Sequence, residues 1–354
     1  MAGGEPRVIG VGEGGRIEPH WLGATLADAL RFDTSHAMLL HAGVDLGQFD
    51  LALVLTQAWL CERESRPCGR CAGCRQVRAR THPDHRVIVP DAMRLAFGWL
   101  VEDDPLLRAG AKPSREIRVE QIRDAIEWTQ RSAGSQRGRA LVIHPADALN
   151  LSAANALLKT LEEPPGRLRI VLTGTDPERL LPTLRSRVQR VRLAAPQRDA
   201  ALAWLVEQGV QQGDALLAAA AGSPPGALEL AREGIDAAAL AALPAQVARG
   251  DATALVGRPV PRVVDLLLKL AHDAMAHAVG APPRYFDATA LARPAPLDAL
   301  QRWRAELMRV ARHDEHPWNA GLLVEALVTK GARCWAAPDG PRPARARHSL
   351  HSTG

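Results

Sequence analysis

The chain has 354 residues, 47% hydrophobic and 23% charged, with a formal net charge of +5. That length implies two or three domains rather than one small core, and the composition is that of a folded globular chain, not a disordered or collagenous one. The charge excludes a polycation held to nucleic acid by bulk charge alone, although a modest basic surface suits work beside DNA.

No apolar run is long enough to span a bilayer, and Met1 to Pro19 lacks the basic-then-apolar pattern of a signal peptide. The expected location is cytoplasmic, where structural disulfides are disfavoured. Residues 1–19 are glycine-rich and read as a flexible extension. Their Gly10-x-Gly12-x-x-Gly15 is a formal dinucleotide fingerprint, but Glu18-Pro19 interrupts the helix that should follow. His20 to Asp33 reads as a helix with Leu22, Leu26, Ala29 and Leu30 on one face, and Ala37-Met38-Leu39-Leu40 as a strand.

The loop after that strand is where a phosphate-binding loop belongs. Such a loop needs glycines so that backbone N–H groups can cradle phosphate, a lysine for the outer phosphates, and a Ser or Thr for magnesium. Here it reads His41-Ala42-Gly43-Val44-Asp45-Leu46-Gly47-Gln48-Phe49. Aligned on Gly47, the lysine position is Gln48 and the hydroxyl position is Phe49. The first glycine position is Ala42, and Asp45 would set a negative charge against phosphate. The loop has the outline of a nucleotide site without its chemistry.

Gln48 to Cys61 reads as a helix burying Leu51, Leu55, Ala58 and Trp59. It runs into Cys61-x6-Cys68-x2-Cys71-x2-Cys74, which holds four of the five cysteines. Four thiolates with two C-x-x-C pairs suit one structural Zn2+ in a closed shell with no open position. Disulfides and free core cysteines are the alternatives, disfavoured by the compartment and by the Arg-rich surroundings. His82 and His85 read as loop residues, and Cys334 as a lone core or surface thiol.

Val87-Ile88-Val89 reads as a strand, Asp91 to Arg115 as an irregular loop, and Ile117 onward as the start of a helix carrying Ile122, Ile126 and Thr129. The strand Ala140 to Ile143 should end in the acidic pair that holds magnesium and polarises water. It is followed instead by His144-Pro145, and Asp147 reads as a turn residue. Next comes a helix with Ser152 as N-cap and Ala154, Leu157, Leu158 and Leu161 on one face, ended by Pro164-Pro165. A second apolar run, Ile170-Val171-Leu172, precedes Thr183-Leu184-Arg185-Ser186-Arg187. Strand, helix, strand and an arginine-bearing turn are the layout of a parallel α/β nucleotide-binding sheet.

Asn155-Ala156-Leu157-Leu158-Lys159-Thr160-Leu161-Glu162-Glu163-Pro164-Pro165 resembles the signature of bacterial DNA polymerase III clamp-loader subunits. Leu184-Arg185-Ser186-Arg187 resembles their Ser-Arg-Cys turn, with Val188 in place of the cysteine, and the cysteine module also occurs in that family. The likeness spans roughly Leu22 to Gly226 and, weakly, the C-terminal helices. It implies an AAA+ fold: an α/β domain over 20–194 with the zinc module at 61–85, a helical lid over 195–235 and a helical collar over 236–335. Residues 336–354, Pro-rich with Arg342, Arg345 and Arg347, read as a disordered basic tail.

Gln197 to Arg232 reads as three short helices. Related ATPases place an arginine near the start of the last, where this chain has Pro225 or Gly226. Apolar stripes follow at Val263, Leu267, Leu270 and Ala271, and at Leu322, Leu323, Ala326 and Leu327. With Gln48, Phe49 and His144-Pro145, three nucleotide contacts are missing, so the resemblance points to the delta-prime branch, which does not hydrolyse ATP. The family assembles as a heteropentamer of delta, delta-prime and gamma/tau subunits that opens a sliding clamp and places it on primed DNA, within the DNA polymerase holoenzyme. The resemblance implies a stator that completes a neighbour's ATP site, with Arg187 as the arginine finger and Arg185 as the competing candidate. The alternatives are an active gamma/tau-type ATPase, opposed by Gln48, Phe49 and His144-Pro145, and a zinc-bearing DNA-binding protein, opposed by the lack of interleaved aromatics and a dense basic run.

Overall fold

The computed structural model describes residues 10–12, 15, 17–32, 35–99, 113–131, 134, 136–291, 294–312 and 319–335. The expectation for residues 336–354, and most of that for 1–19, lies outside them. Backbone contacts divide the chain into two compact units. One is built on the residues up to Gln208 with Gly222–Gly226, the other on Gly209–Ala221 and the residues from Ala227 onward.

The first unit is a five-stranded, wholly parallel sheet: β1 (Ala37–His41), β2 (His85–Ile88), β3 (Arg139–Ile143), β4 (Leu168–Gly174) and β5 (Gln189–Arg192), in the order β2-β3-β4-β1-β5. Both faces are covered, which is why its inner strands are continuous apolar runs rather than alternating ones. Met38, Leu40, Val142 and Val171 pack with α1 (Leu22–Arg31) and α2 (Gln48–Leu60) on one side. Leu39, Leu141, Ile170 and Leu172 pack on the other with α5 (Val119–Gln130) and α6 (Leu151–Glu162). Helix α2 is buried almost all round, which its near-continuous apolar sequence requires. At β1 the strand order reverses, so the loop after β1 and the end of β4 meet at the crevice where open α/β sheets take ligands.

Several local expectations are corrected. The signature helix is capped by Asn150, whose side chain accepts the Ala153 N–H at 2.9 Å, and Ser152 lies inside its first turn. Asp91–Ala96 is a short helix, α4, where an irregular loop is expected, and α3 (Ala72–Arg78) sits between the last cysteines and β2. His85 opens β2 rather than lying in a loop. Within the glycine-rich N-terminal stretch, Val11 is buried: its N–H donates to Gln57 Oε1 at 2.6 Å and Gln57 Nε2 donates back to its carbonyl at 2.9 Å. Helix α7 (Pro182–Arg185) carries the arginine turn, and α8 (Arg198–Glu207) packs Trp204 edge-on to Trp21, ring centroids 5.3 Å apart.

The second unit is helical. After α9 (Gly213–Ala219) and the part of α10 (Pro224–Arg232) from Ala227 onward come α11 (Ala237–Arg249), α12 (Val260–Ala278), α13 (Leu297–Ala311) and α14 (Ala320–Ala332). The three helices expected between Gln197 and Arg232 are therefore α8, α9 and α10. Val263, Leu267, Leu270 and Ala271 are buried as the stripe requires. The stripe on α14 is Val324, Leu327, Val328 and Gly331 instead, and Leu322 is exposed. Gly331 is there because Trp303 lies against it: an added Cβ would sit 2.7 Å from Cζ2 of that ring. Trp303 fixes the approach by donating Nε1–H to the Leu327 carbonyl at 3.0 Å. Among the described residues no helix is long and apolar enough to cross a membrane.

Candidate functional site

The crevice at the C-terminal ends of the strands is filled from within. Gly47 is left-handed (φ 91°) and starts α2, as a phosphate loop would. Its N–H, however, donates to Asp45 Oδ1 at 2.9 Å, and the Leu46 N–H donates to Gln48 Oε1 at 2.6 Å. The Gln48 amide donates to the Val44 carbonyl at 2.8 Å and to the Gly174 carbonyl at 3.3 Å. The side chains of Asp45 and Gln48 thus occupy donors that a phosphate would need. The Gln48 side chain is buried and bonds the loop to the end of β4.

Phe49 is buried beside it. Its ring stacks on His144, centroids 4.1 Å apart at 15°, and on Phe97 at 5.6 Å, with Trp99 at 6.1 Å. The position of the magnesium-binding hydroxyl and the position of the acidic pair therefore touch each other through aromatic rings. His144 Nδ1 is 2.6 Å from Thr173 Oγ1 on β4. Asp147 holds the next loop, its Oδ2 accepting the Thr175 hydroxyl at 3.0 Å. Ser223 closes the loop from outside: its hydroxyl donates to the Asp45 carbonyl and accepts the Gly226 N–H at 2.9 Å. Phe97, Trp99, Thr173 and Ser223 carry no sequence signal for this role, because they converge from segments far apart in the chain.

The four cysteines of the module do come together. Their sulfur atoms all lie within 4.8 Å of one another, and the pairs Cys68–Cys74 and Cys61–Cys71 are 3.9 Å apart. Metal–sulfur bonds of about 2.3 Å arranged tetrahedrally give sulfur–sulfur edges of about 3.8 Å, so this set could hold one ion. Backbone N–H groups already favour thiolates: Cys71 N–H donates to Cys68 Sγ at 3.3 Å and Cys74 N–H to Cys71 Sγ at 3.4 Å. Burial opposes ionisation of Cys68, but bonds from the Arg70 and Cys71 backbone and from the neighbouring thiols hold its pKa down at about 6. Burial and the Cys71 and Cys61 thiols push Cys74 up. The fold brings the four cysteines together from the ends of two helices and the segment between them. Cys61 ends α2, Cys71 caps α3, and Gly69 (φ 71°) sits so close to the Gly12 carbonyl that a side chain is excluded. The cluster includes neither His82, which accepts the Asp84 N–H at 3.0 Å, nor His85, whose Nε2 meets Thr56 Oγ1 at 3.0 Å. Cys334 is buried in the second unit, which raises its pKa to about 11.

Arg185 ends α7 and Arg187 lies on the surface turn after it, each paired within the chain. Arg187 Nε donates to Glu162 Oε1 at 2.7 Å and Nη1 to the Thr183 carbonyl at 2.8 Å, leaving the side chain 34% exposed. Arg185 pairs with Glu178. Glu162 belongs to the signature helix, so the signature and the arginine turn, 25 residues apart, form one surface.

A family model described as DNA polymerase III, delta subunit, matches residues 25–197. The likeness to that family covers 173 of the 354 residues. The matched segment contains the filled crevice, all four cysteines, the signature helix and the arginine turn. The chain is 32% identical over 211 residues to DNA polymerase III subunit delta' of Pseudomonas aeruginosa, covering 58% of each. It is 35% identical over 200 residues to the protein of the same description from Escherichia coli, covering 55% of this chain and 54% of that one. The match thus spans little more than half the length of these relatives. A solved DNA polymerase III gamma subunit-related protein of Thermotoga maritima aligns at 16% identity and a TM-score of 0.47, over 88% of this chain and all of that one.

Proposed function

We propose that the chain is a non-hydrolysing, delta-prime-type subunit of a bacterial replicative clamp loader, within the DNA polymerase holoenzyme. The carrying observation is the filled crevice: Gln48 and Asp45 take the loop's own N–H donors, and Phe49 stacks on His144 where a magnesium site would be. No lysine, hydroxyl or acidic pair stands at those positions to bind or activate a phosphate. The same observation disfavours the reading as a gamma/tau-type ATPase. Similarity to relatives named delta' supports the assignment, with delta and gamma/tau subunits as ring partners and the sliding clamp and primed DNA engaged through the assembled ring. Residues 236–335 then supply the collar.

In this role Arg187 serves a neighbouring subunit's ATP site. A guanidinium presents a planar fork to a phosphate and stabilises charge developing on it during transfer. Arg187 is held at the surface by Glu162, an exposed pair worth about 1 kcal/mol or less, so exchanging that carboxylate for a phosphate costs little. Cys61, Cys68, Cys71 and Cys74 hold one zinc ion, which when bound cross-links the end of α2 to α3. A closed four-thiolate shell leaves no position for substrate, so that ion is structural.

Phosphate release by the purified chain tests the reading. No turnover above background is expected. Activity near about 1 per second that co-purifies with the chain would overturn it.

A further inference from the structure

At the opposite end of the sheet, around the first residues of β1, β3 and β4, lies a groove of about 670 Å³. Its walls carry Arg66, Arg137, Arg167 and Arg169 and no carboxylate. Arg66 comes from the cysteine module, Arg137 from the turn before β3, and Arg167 and Arg169 from the start of β4. The dense basic run that the cysteine module lacks in sequence is therefore assembled in space from three separate segments. Arg137 donates to the Glu62 carbonyl at 3.3 Å and Arg167 to the Gln136 carbonyl at 3.0 Å, bonds that orient both groups without cancelling their charge. The Arg169 guanidinium lies over the Trp59 ring, 5.2 Å from its centroid, which stiffens it against the floor of the groove.

We propose that this groove binds the phosphate backbone of nucleic acid without regard to sequence. Arg66, Arg137 and Arg167, facing one trough, match a repeating phosphate charge, which arginine forks engage well. An acidic peptide is the poorer fit. Peptide binding rests on an apolar anchor entering a pocket, whereas Trp59 and Leu168, the large apolar side chains in these walls, are both buried at 3% exposure. For the same reason the groove offers no stacking platform, so base identity goes unread. The site is independent of the role proposed for Arg187, which lies on the turn before β5.

The test uses the full chain with a labelled oligothymidine and a labelled duplex of equal length, followed by fluorescence anisotropy across a salt series. Three phosphate contacts, from Arg66, Arg137 and Arg167, predict a plot of log affinity against log salt with slope about −2 for the single strand and about −2.7 for the duplex. Between about 50 and about 200 mM salt, affinity should fall about 20-fold and about 40-fold respectively. Arg66→Ala, Arg137→Ala and Arg167→Ala should each lower the slope by about 1, and together weaken binding at least about tenfold, with unchanged metal content and melting temperature. Arg190→Ala, an exposed arginine on β5, is the charge-matched control and should leave the slope as it is. The proposal is overturned if the triple variant binds like the parent, if Arg190→Ala loses as much as the groove variants, or if labelled polyglutamate binds as tightly as the oligonucleotides.

Discussion

Phe49 shows how a single residue changes what a loop is for. In a phosphate-binding loop its position carries a hydroxyl that reaches outward to magnesium; here it points inward as core, stacked on His144 and Phe97. Phe49→Thr, which would restore the ATPase residue type, should therefore cost about 3 kcal/mol by cavity formation and still yield no nucleotide binding. Urea unfolding measures the first part, and a loss under about 1 kcal/mol would show the ring to be dispensable. Cys71 has a different dependence. Elemental analysis should find about one zinc per chain, and Cys71→Ser should lose it and loosen residues 61–85 while the sheet survives. Zinc retained at full occupancy in that variant would remove Cys71 from the ligand set.

His85 adds a pH dependence. Burial, with a contribution from His82, lowers its pKa to about 3, so the folded chain holds it neutral. The unfolded chain protonates it below about pH 6.5, so stability is full above that value and falls as pH drops toward 3. At pH 5 the loss is about 2 kcal/mol. His85→Gln should flatten that part of the profile, and an unchanged slope would assign it to other groups.

At the scale of elements, strands and long helices were legible because burial leaves periodic apolar patterns: β1, β3, β4, α2 and α12 lie where those patterns place them. Boundaries were less so. Ser152 and Asn150 are both good N-caps, and only the geometry of the chain leaving β3 selects Asn150. Helix α14 is apolar on more than one side, so its sequence allowed two stripes, and packing against Trp303 chose Val324, Leu327, Val328 and Gly331. The cysteine cluster was readable from spacing, and the absent phosphate chemistry from Gln48, Phe49 and His144. The aromatic filling was not, because Phe97 and Trp99 lie well over 30 residues from both Phe49 and His144 and carry no motif. Nor was the tie between Arg187 and Glu162. As an exposed pair it should be weak: Glu162→Gln should change unfolding free energy by less than about 1 kcal/mol, and a larger loss in denaturant melts would mark it as structural.

At the scale of the whole molecule, the proposed function gives a sheet with a filled crevice, a thiolate cluster and an exposed arginine turn one common role, in support of catalytic chemistry on another chain. An arginine finger without a nucleotide site at home, if it is functional, works on a neighbour's. The direct test is ATP hydrolysis by the reconstituted ring, stimulated by DNA and clamp, with Arg187→Ala against Arg185→Ala. The expected result is intact assembly with hydrolysis at the adjoining site lowered by up to about 10³-fold, poor rescue by Arg187→Lys, and near-parental activity for Arg185→Ala. An assembled Arg187→Ala ring that hydrolyses ATP at the parental rate would contradict the role in trans.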